Sequence, residues 1–218
     1  MKNRITGLIS IILITIGLLV SAGFAIRNLV NLSGLVRPLT RLEGKLTKGD
    51  YVEGELYVES EEFYYIKHTL NGLIPVGTEH YYIAIDENTD TVYYLRSGKN
   101  TYKEVSPDSP IKIKGKVYKA DSSVHHDFKE IKEYFEAEGL SVGYSGEIIF
   151  IDTEIGKRSL INILGVVLLI GGFLAVFLSP AGKKQINEIN GFDKLLVFGG
   201  LLFIIVGGIM LITLPVFL

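Results

Sequence analysis

The sequence contains no cysteine, which excludes disulfides, thiolate metal sites and cysteine nucleophiles. It also lacks a His-Glu-x-x-His motif and a glycine-rich phosphate-binding loop. These absences indicate no cofactor and no metal site, and we expect a protein that is not an enzyme. With a net charge of −2 and no basic cluster in its polar segment, the chain is also not expected to bind nucleic acid.

Ionisable side chains are missing from three long apolar runs, Ile5–Ile26, Leu160–Leu178 and Leu195–Leu218. A helix needs roughly 20 apolar residues to cross the hydrocarbon of a bilayer. We therefore predict an N-terminal anchor at 1–30 and a C-terminal hairpin at 159–218, with helices at about 160–178 and 195–214. Helices without ionisable residues are typical of an anchor rather than a transporter.

The first run has a second interpretation as a signal peptide. Val20-Ser21-Ala22 and Gly23-Phe24-Ala25 each end in a small residue, as signal-peptide cleavage requires. The run is longer than the usual apolar core of about 7–15 residues, which favours a retained anchor. Whether this helix is cleaved stays open.

Charged residues around the runs predict the orientation. Lys2 and Arg4 precede the first run, and basic flanks favour the cytoplasm. We expect a multi-pass cell-membrane protein with a cytoplasmic N-terminus and an extracytoplasmic domain at 31–158. Five other basic residues near the runs oppose this orientation: Arg27, Arg37, Arg41, Lys157 and Arg158.

The polar segment has the patterns of an α+β domain. Alternating apolar and polar residues predict strands at Tyr51–Val58 and Ile111–Lys119. Further candidate strands are Phe63–His68, Thr101–Val105 and, closing the domain, Glu147–Asp152. His80–Asp86 and Thr91–Ser97 predict a hairpin, whereas the glycines and proline of Leu70–Glu79 predict a loop.

One amphipathic helix is expected near 122–138, capped by Asp121 or Ser122 and ended by Gly139. Its apolar face would carry Val124, Phe128, Ile131 and Phe135. Many short strands with one helix before the last predict a mainly antiparallel β domain, in the form of an OB-like small barrel.

Two predicted strands share a pattern in which charges flank a glycine, at 52–57 and 113–118. Such a glycine often marks a bulge or a bend. The repetition is either a coincidence or a sign that the strands are neighbours, with Glu53 and Glu55 facing Lys114 and Lys116.

Aromatic residues are concentrated in or beside the predicted central strands: Phe63, Tyr64, Tyr65, Tyr81, Tyr82, Tyr93, Tyr94 and Tyr102. Adjacent rings point to opposite faces, so about half should pack in the core and half could meet a partner. The predicted loop adds consecutive apolar residues between two glycines. We predict a partner-binding surface with Leu73, Ile74, Val76, Tyr82 and Tyr94; alternatively, the loop plugs one end of the barrel.

Histidines are the remaining candidates for chemistry. His125-His126-Asp127 begins the predicted helix, where adjacent side chains point about 100° apart and form no natural chelate. We interpret this cluster as a solvated helix start, and His80 as the alternative base or metal ligand.

The order of the parts, together with the stretch Asn71-Gly72-Leu73-Ile74-Pro75-Val76-Gly77-Thr78-Glu79, resembles uncharacterised bacterial membrane-anchored proteins classed as domains of unknown function. This resemblance covers roughly half of the chain and transfers no activity. A looser similarity is to membrane-tethered OB-like domains that are partners of membrane proteases or carriers, whose functional motifs are not recognisable in the sequence.

The sequence therefore predicts a multi-pass membrane protein that presents an extracytoplasmic binding or scaffolding module. Its expected partners are the lipid bilayer and a membrane or envelope protein, or a second copy of the chain. The alternative is a cell-envelope enzyme, or a metal or cofactor carrier, that uses His80, His125 or His126.

The orientation can be tested with the cysteine-free chain, because an introduced cysteine is the sole thiol. A cysteine in place of Lys99 should react with a membrane-impermeant thiol reagent in intact cells, whereas one in place of Gln185 should not. Labelling measured by gel shift gives the answer, and the opposite pattern would invert the predicted orientation.

Overall fold

The computed structural model describes residues 2–43, 45–58, 62–70, 73–98, 109–120, 125–144, 147–178 and 191–213. These residues contain the helices α1 (Lys2–Leu32), α2 (His125–Ala137), α3 (Ile155–Leu178) and α4 (Gly191–Thr213). The strands are β1 (Thr40–Arg41), β2 (Tyr51–Val58), β3 (Tyr64–Leu70), β4 (Ile74–Asp86), β5 (Thr91–Ser97), β6 (Ile111–Lys119), β7 (Ser141–Val142) and β8 (Ile149–Asp152). The chain divides into two units: Met1–Arg27 with Lys157–Phe217, and Asn28–Gly156.

Three helices in the described part are long and apolar enough to cross a membrane. Their candidate spans are Ile14–Leu32 in α1, Ile155–Phe177 in α3 and Asp193–Ile212 in α4. The prediction of three such helices is confirmed. Helix α3 begins before the predicted residue 160, because its first turn includes the charged residues Lys157 and Arg158.

Glycines seven residues apart allow α3 and α4 to approach closely. A Cβ atom on Gly172 would lie 2.5 Å from the carbonyl oxygen of Gly200, and one on Gly207 would lie 2.7 Å from that of Gly165. Side chains cannot occupy such short separations, so the two backbones meet only because these residues are glycine. The neighbouring Gly171 meets nothing within 4 Å.

A pair of polar side chains links α1 to α3. Ser21 Oγ donates to Asn162 Oδ1 at 3.1 Å, and Asn162 Nδ2 lies 2.9 Å from Ser21 Oγ. Both residues are buried. An unpaired polar group in hydrocarbon would cost several kcal/mol, so each of these groups needs the other.

Five strands of the second unit close into a barrel in the order β2, β6, β8, β5, β4 and back to β2. Neighbouring barrel strands are antiparallel except for β5 and β8, which are parallel. Strand β1 pairs with β2 outside the barrel, β3 with β4, and β7 with β5. The prediction of a small, mainly antiparallel barrel with one added helix is confirmed.

Alternate residues of the barrel strands provide its apolar interior. Val52, Leu56, Leu95, Val117 and Ile151 are all buried, as the period of two in a strand requires. The intervening residues of β2 and β6 are mostly charged and partly exposed. Burial on one face and charge on the other therefore fix the register of these two strands.

The two strands with the repeated pattern are antiparallel neighbours. Glu53 faces Lys114, with 3.3 Å between carboxylate and ammonium, as one interpretation of the repetition predicted. Glu55, however, faces Lys112 at 3.5 Å, and not Lys116. Both pairs are half-exposed or more, so each contributes about 0.2–1 kcal/mol at most.

The repeated glycines do not mark a bulge. The pairing of β2 with β6 runs through Gly54 and Gly115 without a shift of register. A Cβ atom on Gly115 would instead lie 2.6 Å from Ile151 Cγ2, and one on Gly54 2.6 Å from Leu42 Cδ1. Both residues are glycine because neighbouring side chains pack directly on the strand backbone.

The prediction of a loop over Leu70–Glu79 is wrong for most of its length. Strand β4 begins at Ile74 and includes Pro75, which pairs with Thr69 after a shift of register in β3. Among the described residues, β4 pairs over 74–79 with β3 alone, because its pairing with β5 begins at His80. Proline is tolerated there because the strand is an edge on its other side.

Three predictions fall on residues that the structure does not describe. They are the short strand Thr101–Val105, the helix caps Asp121 and Ser122, and Val124 on the helix face.

Helix α2 packs against the barrel through its apolar face. Phe128 is fully buried, and Ile131 and Phe135 are partly buried against the same core, as the sequence predicted. The helix ends where Gly139 takes a φ of 86°. Leu140 N–H donates to the carbonyl of Phe135 at 3.0 Å, which completes a glycine cap.

Phe128 should be the main anchor of α2. Its ring contacts those of Phe63, Tyr64, Tyr81 and Tyr94, with centroids 4.5 to 6.3 Å apart. Phe128→Ala should lower the free energy of unfolding by about 3–5 kcal/mol, measured by chemical denaturation of the full chain in detergent. Tyr134→Ala, at an exposed position of the same helix, should change it by no more than about 0.5 kcal/mol. Equal losses in both variants would show that Phe128 is not the anchor.

Candidate functional site

A two-stranded ribbon extends the β3–β4 pairing beyond the barrel, and we call it the arm. It consists of residues 66–70 of β3 and 74–79 of β4, with Leu73 between the two strands. In the described part, β3 ends the strand order and residues 74–79 of β4 pair with β3 alone, so neither edge of the arm has a further strand partner. An open strand edge can accept another chain by main-chain hydrogen bonding.

Three of the residues predicted to bind a partner lie in the arm. Leu73 is 85% exposed at its end. Ile74 and Val76 lie two residues apart on the first part of β4. On β3, Tyr65 is 51% exposed beside the same arm. The arm therefore combines an open edge with exposed apolar groups.

The other two predicted residues are in the core. Tyr82 and Tyr94 are 3% and 1% exposed, so they do not form an accessible surface. The expectation that half of the strand aromatics face outward did not allow for α2. Tyr94 points to the outer face of β5, but Phe128 covers it and accepts its hydroxyl at the backbone carbonyl, 3.0 Å away.

A buried ionic cluster lies where the arm joins the barrel. Arg96 of β5 donates from Nη1 to Glu79 of β4 at 2.9 Å and from Nη2 to Asp152 of β8 at 2.5 Å. All three side chains are at least nine-tenths buried. The guanidinium also lies over the rings of Phe150 and Tyr118, at 4.8 and 5.5 Å from their centroids.

Two groups at this cluster, Arg96 and Tyr81, have raised pKa values. Burial alone would lower the pKa of Arg96, but the carboxylates of Asp152 and Glu79 outweigh that effect and raise it. Burial, together with the charge of Glu79, raises the pKa of Tyr81. The tyrosine therefore stays protonated and can donate its hydroxyl to Glu79 Oε2, which is 2.8 Å away.

Glu79 connects this cluster to the arm. It is opposite Ile66 on β3, and His68 Nε2 of the same strand lies 3.3 Å from Glu79 Oε1, without the geometry of a hydrogen bond. One carboxylate thus contacts residues of β3, β4 and β5. In the sequence, Arg96 is the single charged residue of strand β5. That isolated charge is the signal from which the cluster could have been predicted.

A second polar group surrounds His80, the predicted alternative base. His80 Nδ1 is in contact with the carboxylate of Glu62. Ser97 lies directly opposite His80 across the β4–β5 pairing. Its buried hydroxyl makes no hydrogen bond to any residue that the structure describes. Carboxylate, imidazole and hydroxyl are the residue types of a nucleophile with its base, but the hydroxyl is not bonded to the imidazole.

The other histidine cluster is solvated where the structure describes it. His126 is exposed and forms an i,i+4 contact of 3.3 Å with Glu130 on α2. Across the described ranges, no three side chains of the metal-binding types come together.

A cavity of about 390 Å³ opens beside the end of α2, lined by Lys45, Lys132, Glu136, Gly139, Leu140, Ser141, Val142 and Tyr144. Burial raises the pKa of Tyr144 to about 12, so its hydroxyl is protonated. Residues 139–143 read Gly-Leu-Ser-Val-Gly, a Gly-x-Ser-x-Gly pattern. Ser141 lies in a strand that follows a helix, the reverse of the strand–turn–helix in which this motif supplies a nucleophile.

Comparison with known proteins found no matching family model, no similar curated protein and no similar solved structure.

Arg96 should be necessary for the stability of the barrel. Arg96→Ala leaves two buried carboxylates without a counter-charge, which should cost about 3–5 kcal/mol in the free energy of unfolding. Arg41→Ala, which breaks an exposed pair with Glu43, should cost at most about 1 kcal/mol. The measurement is chemical denaturation of the full chain in detergent.

A neutral triple variant separates charge from packing. Arg96→Met with Glu79→Gln and Asp152→Asn leaves no buried charge, so it should recover a large part of the lost stability. A triple variant as unstable as Arg96→Ala would mean that shape, rather than charge compensation, is the main contribution of Arg96.

Proposed function

We propose that this protein is a multi-pass membrane protein that presents the barrel outside the cytoplasm as a binding or scaffolding module, within a membrane complex. The observation that carries this proposal is the arm. It is a strand edge without a partner in the described residues, and it ends in an exposed apolar residue. Three apolar helices long enough to span a bilayer support the membrane tether.

We also propose that the barrel is of the OB type. Numbered along the chain, the barrel strands are β2, β4, β5, β6 and β8, and their cyclic order is first, second, third, fifth, fourth. In OB folds the connections between the first and second strands and between the fourth and fifth strands contribute to ligand binding. The arm belongs to the first of these connections, and α2 to the second.

The proposed partner is a protein of the membrane or envelope, or a second copy of the chain. Strand addition gives affinity through backbone hydrogen bonds, and pockets for alternate side chains give specificity. The positions of Leu73, Ile74 and Val76 on one ribbon fit this mode. The negative net charge and the absence of a basic cluster in the polar segment do not favour nucleic acid.

Site-specific crosslinking in native membranes tests the arm. A photoreactive amino acid in place of Tyr65 should form a discrete adduct, and one in place of the equally exposed Tyr134 on α2 should not. Leu73→Ser should abolish the Tyr65 adduct and leave stability within about 0.5 kcal/mol, because Leu73 is not in the core. The double variant Ile74→Ser with Val76→Ser should also abolish the Tyr65 adduct. Loss of stability with the adduct intact would instead assign these residues to the core.

A second candidate, a cell-envelope enzyme that uses His80, is favoured by one specific observation. Glu62 contacts His80 Nδ1, which leaves Nε2 as a possible base, and Ser97 lies across the pairing. If this site is catalytic, a serine-reactive fluorophosphonate should label the protein, and Ser97→Ala should prevent labelling. The binding proposal predicts no labelling and an unchanged Tyr65 adduct in Ser97→Ala.

A further inference from the structure

The connector after α1 exposes two consecutive apolar side chains. Leu35 is 86% exposed and Val36 is 65% exposed. Arg37 and Pro38 follow them, and both are exposed. Further along the chain, Leu42 and Leu46 are buried in the domain core. The exposure of Leu35 and Val36 is therefore local and does not extend to the apolar residues that follow.

The end of α1 directs this pair away from the core. Gly34 takes a φ of 73°, a left-handed conformation that ends the helix. Ser33 N–H donates to the carbonyl of Leu29 at 3.0 Å, and Leu35 N–H lies 3.3 Å from Ser33 Oγ. Such caps are frequently accompanied by an apolar contact back to the helix, but Leu35 is too exposed to make a substantial one.

If Leu35 and Val36 stay in water, the favourable free energy of burying their side chains is not gained. Full burial of a leucine or valine side chain is favourable by about 1.5–3 kcal/mol. The pair follows the candidate span Ile14–Leu32 by only a few residues. At that distance the chain is still within the headgroup region, where apolar side chains can insert and arginine can meet lipid phosphate.

We propose that the connector Ser33–Pro38 is a membrane-interface anchor, in which Leu35 and Val36 insert into the boundary between headgroups and acyl chains while Arg37 contacts lipid phosphate. This inference rests on the proposed membrane tether. The occupant of the exposed pair is the lipid bilayer, because the pair is continuous with a spanning helix and is followed directly by a basic residue.

The absence of tryptophan from the chain gives a direct test. The full chain is placed in phosphatidylcholine–phosphatidylglycerol nanodiscs, with one tryptophan in place of Leu35. Lipids that carry a quencher near the headgroup should remove most of its fluorescence, and lipids quenched at the acyl terminus should remove less. A tryptophan in place of Tyr134, on the charged surface of α2, is the matched exposed control and should be quenched mainly by aqueous iodide.

A third position separates this inference from the proposed tether. Val167 lies near the middle of the α3 span, so a tryptophan there should be quenched most by the acyl-terminal lipids. If it is not quenched by lipid, the membrane tether fails and the anchor fails with it. If it is quenched as expected but the Leu35 reporter responds only to iodide, the tether stands and the anchor is wrong.

If the tryptophan in place of Leu35 is quenched neither by iodide nor by the lipid quenchers, a protein surface covers Leu35 and Val36. That result would also overturn the proposal that lipid covers them. Should Leu35→Trp fail to fold, Val36→Trp makes the same measurement, because the proposal expects both residues at the same depth.

Discussion

The second unit depends on the compensation of one buried arginine by two carboxylates. Arg96 is held between Glu79 and Asp152, and these three residues belong to β5, β4 and β8. A single buried charge would be very unfavourable, whereas here Arg96 donates one charge-assisted hydrogen bond to each carboxylate. The cluster therefore requires β4, β5 and β8 to be assembled at once, which couples barrel closure to the position of the arm.

An aromatic cluster around Phe128 complements this ionic one. The ring of Tyr81 is common to both, since it contacts Phe128 and Phe150 while its hydroxyl donates to Glu79. Apolar packing of α2 is favourable in proportion to the area that it removes from water. Hydrogen bonding at Arg96 specifies which strands meet. The arm therefore joins the barrel at these two buried clusters, while Leu73 at its far end is exposed.

The three long apolar helices associate through other contacts. Close backbone approach at Gly172 and Gly200 links α3 to α4, and the Ser21–Asn162 hydrogen bond links α1 to α3. Each depends on residues that are small or polar, in helices that are otherwise almost uniformly apolar. Charge compensation and aromatic packing therefore stabilise the second unit, whereas close backbone approach and a polar pair connect the long helices of the first unit.

The sequence by itself determined the features that depend on local pattern. The three long apolar helices follow from the length of the apolar runs. Strands β2 and β6 follow from alternation, and the bounds of these two strands were predicted without error. Gly139 was recognisable as a helix end because few other residues adopt its conformation. The exposed Leu73 of the candidate site was also accessible to prediction, since four consecutive apolar residues between glycines cannot all face a core.

Only the tertiary structure decided the rest, because it depends on residues far apart in the chain. Strand pairing extended β4 through Pro75, where local turn signals predict a loop. Packing of α2 buried Tyr94, which alternation alone leaves facing outward. Arg96 and Asp152 are 56 residues apart in sequence, so nothing local indicates that they bond. Long-range contacts of this kind are invisible to periodicity, which reports only how a segment divides its own residues between two faces.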